Sequence, residues 1–133
     1  MLPGFDYRFG WSRVPVWLSV AAQVLLAASW VLIFLVFRFN SFASTVIQVE
    51  QGQKVISDGP YRIVRHPMYS GLVLMMMVTG FALGSYIAVV PGLMKIPLLV
   101  YRLLHEERAL AKELPGYTDY CSRTPWRLVP GVY

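Results

Sequence analysis

Charge is what this sequence has least of. Only 14% of its 133 residues are Asp, Glu, Lys or Arg, and just seven of those are acidic. A soluble domain of this size carries nearer a quarter charged residues. With 56% hydrophobic residues and a mean hydropathy of +0.52, the chain reads as a small integral membrane protein of one domain, residues 1–133. The single cysteine, Cys121, excludes an internal disulfide and a multi-cysteine metal site, and no metal is expected. There is no internal repeat and no low-complexity stretch. A cleavable signal peptide is not expected: the first apolar run is too long for one and lacks a small-x-small cleavage site. Nor does the basic excess, a net charge of +5, come with the interleaved aromatics of a single-strand binder. In a membrane chain that excess sets topology, so no nucleic-acid partner is expected.

What the chain does have is apolar runs. Residues 14–37 are nearly free of charge and, as a helix, would span about 36 Å, enough to cross a bilayer. A second run, 68–83, starts behind Pro67, which suits the first helical position because its missing N–H would be unpaired anyway. Gly84-Ser85 breaks it. A third run, 86–104, continues as a polar helix to about residue 114, with kinks expected at Pro91 and Pro97. The expected fold is therefore all-α and membrane-spanning: three transmembrane helices, the last two a hairpin, with a cytoplasmic helical extension. Residues 1–13, with Phe5, Tyr7, Phe9 and Trp11, suit an interfacial segment, 14–114 form the helical core, and the proline-containing tail 115–133 is expected to be irregular. Three crossings put loop 38–67 and the segment after residue 104 on one side. Their Lys and Arg residues make that side cytoplasmic. Gly80-x-x-x-Gly84 reads as serving the hairpin turn rather than a helix contact. Met75-Met76-Met77 reads as filler or lipid-facing surface. Lys95, inside the third run, is functional, snorkels to the headgroups, or marks a shorter span.

Chemistry concentrates in two places. Residues 58–71, DGPYRIVRHPMYSG, pack two Arg, one His, two Tyr and two Pro around the start of the second helix. Free N–H groups and the helix dipole there favour an anion, and Arg65 adds charge. Tyr61 and Tyr69 offer aromatic faces for a cation or a purine. About thirty residues later, Arg102, Glu106 and Leu110 share one helical face, with Glu107 about 100° round. Each piece also has a plain reading: a helix start flanked by topology arginines, and a surface ion pair of small worth.

Together the pieces form a pattern. Gly59-Pro60-Tyr61-Arg62-x-x-Arg65-His66-Pro67-x-Tyr69-x-Gly71 is followed by Arg102-x-x-x-Glu106-Glu107-x-x-Leu110. Gly116-Tyr117-x-x-Tyr120 and Arg127-Leu128-x-Pro130 come next. This resembles the isoprenylcysteine carboxyl methyltransferase family, most of all its small bacterial members, and their relatives among the phospholipid N-methyltransferases. The resemblance spans about residues 48–131. It implies a membrane methyltransferase using S-adenosylmethionine, in the bacterial inner membrane with its site toward the cytoplasm. The cofactor contacts it implies are Gln48, Gln53, Lys54, Val55, Ile56, Tyr61, His66, Pro67, Met68, Tyr69 and Glu106, and Arg65 and Glu107 join them as neighbouring charges. Arg102 is placed toward the substrate as the catalytic candidate. The implied partners are the bilayer and an amphipathic or small acceptor, methylated on a carboxylate, thiol or amine.

Two other readings compete. Membrane sterol reductases share a similar arginine-histidine-x-tyrosine turn and would use NADPH, but the Glu106-Glu107 pair and short tail resemble the methyltransferases more closely. A non-enzymatic membrane-interaction subunit is the second, against which the intact motifs argue.

Overall fold

A computed structural model describes residues 1–40 and 55–133. Among these residues the chain is helical throughout: α1 (Leu2–Phe9), α2 (Val16–Phe39), a short 3-10 turn (Gly59–Arg62), α3 (Pro67–Ala82), α4 (Val89–Glu113) and α5 (Tyr117–Arg123). Three of the expected cofactor contacts, Gln48, Gln53 and Lys54, lie outside the described residues.

The long helices run up, down and up, with α3 packed on both α2 and α4. α2 is apolar on every side, yet it buries only Ala22, Ser29, Ile33 and Val36. Those positions, spaced seven, four and three apart, form one stripe toward α3. Trp17, Val24, Trp30, Val31, Phe34 and Phe37 face outward. An outward apolar surface of that extent is stable against lipid, not water. α2 is the one described helix long and apolar enough to cross a membrane. α3 is apolar but has only 16 residues, about 24 Å of rise, short of the roughly 30 Å hydrocarbon core. α4 is interrupted by Lys95 and Arg102 before its polar end. The expectation of three full crossings is thus supported outright for α2 alone.

The hairpin forms where expected. Gly84 takes a left-handed φ of 72°, and the Gly84 and Ser85 amides turn back onto the Phe81 and Gly80 carbonyls at 3.0 and 2.9 Å. This is the glycine-terminated ending that satisfies a helix's last carbonyls. α4 starts three residues later than expected and runs unbroken past Arg102. Pro91 falls in its first turn, where a missing N–H costs little; Pro97 is interior. Lys95 is exposed.

Gly80 does more than serve the turn. A Cβ there would lie 2.4 Å from the Val89 amide nitrogen, and one on Gly92 would lie 2.3 Å from the Met76 carbonyl oxygen. The two helices therefore meet backbone to backbone, the packing small residues provide in membranes. Gly80→Ala is expected to cost about 1–3 kcal/mol through overpacking against rigid backbone. Thermal unfolding in detergent reads this directly, and an unchanged midpoint would refute so tight a contact.

The tail folds more regularly than the sequence indicated. The tail contains α5, seated through Leu114, Tyr117 and Tyr120, with Val55 and Tyr61 packed against them. A helix of seven residues is too short to show a period, and the local prolines argue for loop. Within the segment expected to be interfacial, residues 2–9 form α1, and its Asp6 is buried. Asp6 accepts from the Ser12 amide at 2.7 Å and the Ser12 hydroxyl at 2.5 Å, and also from Ser85 Oγ. These bonds fasten the N-terminal segment to the hairpin tip. The motif residues gather at the other end of the bundle.

Candidate functional site

That other end is assembled around the start of α3. Asn40, closing α2, donates from Nδ2 to the Tyr61 hydroxyl at 2.8 Å, and Tyr120 of α5 donates to the Tyr61 carbonyl at 2.7 Å. Tyr61 is thereby held at both its hydroxyl and its carbonyl, and burial pushes the Tyr61 hydroxyl's pKa up, with the nearby Glu106 charge adding to it. Pro67 is fully buried, and no side chain caps the first turn of α3.

The adjacent carboxylates of α4 have separate surroundings. Tyr69 donates to Glu106 Oε2 at 2.6 Å. Arg102, one turn earlier on the same face, lies within hydrogen-bonding reach of the same Tyr69 hydroxyl. Glu107 is instead taken up by three basic side chains. His66 Nε2 lies 3.2 Å from Oε1, Arg65 Nε 3.2 Å from the same oxygen, and Arg127 Nε donates to Oε2 at 2.8 Å. Burial alone would raise the Glu107 pKa, but the His66 and Arg127 hydrogen bonds outweigh it and hold the carboxyl at about 2. The reciprocal effect of Glu107 raises the pKa of Arg127.

Two buried polar atoms at this end lack a good partner among the described residues. Arg65 Nε is close to Glu107 but is not aligned for a hydrogen bond. The Tyr117 hydroxyl has no nitrogen or oxygen partner and only the Cys121 thiol nearby, a weak one. Burial pushes the Tyr117 pKa up, and the Glu107 charge adds to the shift, which places this hydroxyl beside the same cluster. Unsatisfied buried groups are rare in proteins and call for an explanation such as a missing ligand.

The structure thus brings together Tyr61, Arg65, His66, Pro67, Tyr69, Arg102, Glu106 and Glu107. Met68 is half-buried in the first turn of α3, and Val55 and Ile56 lead into the 3-10 turn, partly buried. Sequence reasoning assigned no role to Arg127, Ser70, Tyr117 or Tyr120. Arg127, Tyr117 and Tyr120 were visible only as letters of the C-terminal motif. Comparison with known families fits this grouping, for the matched region takes in α3, nearly all of α4 and the turn between α2 and α3. Residues 24–112 match the profile of the isoprenylcysteine carboxyl methyltransferase family, and the chain belongs to that family of membrane methyltransferases.

Proposed function

We propose that this chain is an S-adenosylmethionine-dependent methyltransferase whose site is the polar end of the bundle, facing the cytoplasm. The acceptor is an amphipathic or small molecule that offers a carboxylate, thiol or amine. One observation carries the reading: Glu106 stands at the uncapped start of α3, bonded to Tyr69, with Arg102 one turn deeper. The family resemblance points to the same residues.

The residues fit the donor's chemistry. Its carboxylate suits the α3 amides and Arg65, its ammonium or ribose hydroxyls suit Glu106, and its sulfonium suits the Tyr61 and Tyr69 rings. The buried Tyr117 hydroxyl, with no nitrogen or oxygen partner among the described residues, supplies a further polar contact. Val55 and Ile56 precede the turn, and the family resemblance adds Gln48, Gln53 and Lys54 to the donor's contacts. When bound, S-adenosylmethionine supplies a methyl group already activated by the sulfonium. The protein's task is then to hold the acceptor in line and keep water out. Arg102 holds an acidic acceptor group, with the acceptor's tail in the bilayer. A carboxylate or thiolate acceptor needs no base from the protein, and we assign none.

The test is binding of labelled S-adenosylmethionine and of NADPH to the purified chain in detergent, followed by methyl transfer into lipid, prenyl-cysteine and small-thiol acceptors. Saturable donor binding without NADPH binding is expected. NADPH binding without donor binding would replace this reading with the reductase.

A further inference from the structure

The C-terminal tail is built into the start of α3. The Arg65 and His66 amides donate to the Trp126 and Arg127 carbonyls at 2.9 and 3.0 Å, and Ser70 Oγ donates to the Leu128 carbonyl at 2.6 Å. Three consecutive tail carbonyls thus lie along one turn. That register delivers the Arg127 side chain to Glu107, while its guanidinium also rests 5.1 Å from the Tyr133 ring centre. Glu107 is consequently held on one oxygen by the tail and on the other by His66 and Arg65.

Packing and polar contacts together hold this part of α4. The helix buries only Val89 and Leu103 fully, and in its last ten residues Leu110 packs, partly buried, against Leu114, Tyr117 and Tyr120. The polar contacts at 106 and 107 add to that packing in setting the helix's rotation. Glu106 precedes Glu107 by one residue, about 100° of helical turn, so holding one carboxylate aims the other. We propose that Arg127 is a positioning residue for the methyl-donor site: by taking Glu107 it trims the rotation of α4 that presents Glu106. Glu107 is on this account a strut and not a ligand. The role rests on the assignment of Glu106 to the donor made above.

The test is a double-mutant cycle on donor affinity, with the full chain in detergent and S-adenosylmethionine titrated into wild type, Arg127→Met, Glu106→Gln and the double variant. Arg127→Met alone should weaken binding about tenfold. In the Glu106→Gln background the same change should cost nothing further, because the group it aims is gone. A merely structural role would lower affinity equally in both backgrounds, and that result, or no loss in either, overturns the proposal. Arg127→Lys keeps the charge but not the directed N–H donors, and covers the case in which the methionine variant does not fold. It should lose less than Arg127→Met, again only when Glu106 is present. If wild type fails to bind the donor at all, the donor reading falls and this role with it; wild-type binding with additive losses removes the positioning role alone.

Discussion

Replacing Glu107 with alanine is expected to cost about 3 kcal/mol of stability. Glu107 answers three basic groups at once, and two of them are well covered: His66 is 5% exposed and the Arg65 side chain 10%. Removing the carboxylate leaves these groups together with no counter-charge. The loss is moderated because the third partner, Arg127, is 34% exposed and can turn to water. Glu107→Gln retains two of the hydrogen bonds in altered form and should cost less. The pH dependence has a definite sign. The folded pKa, about 2, lies below the ordinary 4.5, so the stabilisation is complete above about pH 4.5 and is lost as pH falls toward 2. Allowing for solvent screening, about 1–2 kcal/mol disappears across that window. Unfolding in detergent at pH 7 and again near pH 3 measures both effects. If Glu107→Ala melts with wild type at pH 7, the cluster is only a surface feature.

Much of this arrangement was legible because its signals are local. Pro67 marks a helix start, Gly84 and Ser85 a helix end, and run length gives α2. The motif spacing placed Arg102 and Glu106 on one face. What stayed hidden is non-local. Nothing in residues 1–13 shows that Asp6 will be buried against Ser85, 79 positions away. Nothing in the proline-containing tail shows that its carbonyls pair with the amides of Arg65 and His66. The two carboxylates also looked alike as letters, and sequence assigned both to the cofactor. Their surroundings separate them: Glu106 has Tyr69 from α3 and, on its own helical face, Arg102, and Glu107 has three basic groups from two other segments. Short helices such as α5 fall below the length at which periodicity speaks.

The same separation predicts different kinetics for neighbouring substitutions on α4. Glu106→Gln should weaken donor binding more than Arg102→Ala does, while Arg102→Ala should raise KM for the acceptor. Glu106 is the carboxylate placed to accept from the donor's ammonium or ribose hydroxyls, and Tyr69 already fixes one of its oxygens at 2.6 Å. A charged hydrogen bond of this kind contributes roughly 1.5–3 kcal/mol, about ten- to a hundredfold in affinity. Glutamine keeps the shape and an accepting oxygen but not the charge, so the loss reports electrostatics rather than packing. Arg102 lies one turn toward the bilayer on the same face and reaches the same tyrosine. An acceptor with its tail in lipid would bring its acidic head there. Removing the guanidinium should therefore weaken the acceptor and leave most donor affinity intact. Were the two residues only a surface ion pair, either substitution would cost under about 1 kcal/mol and leave the donor untouched. Titrating S-adenosylmethionine into both variants separates the cases: near-wild-type affinity in both would mean that the polar end of the bundle holds its helices together and does not hold the methyl donor.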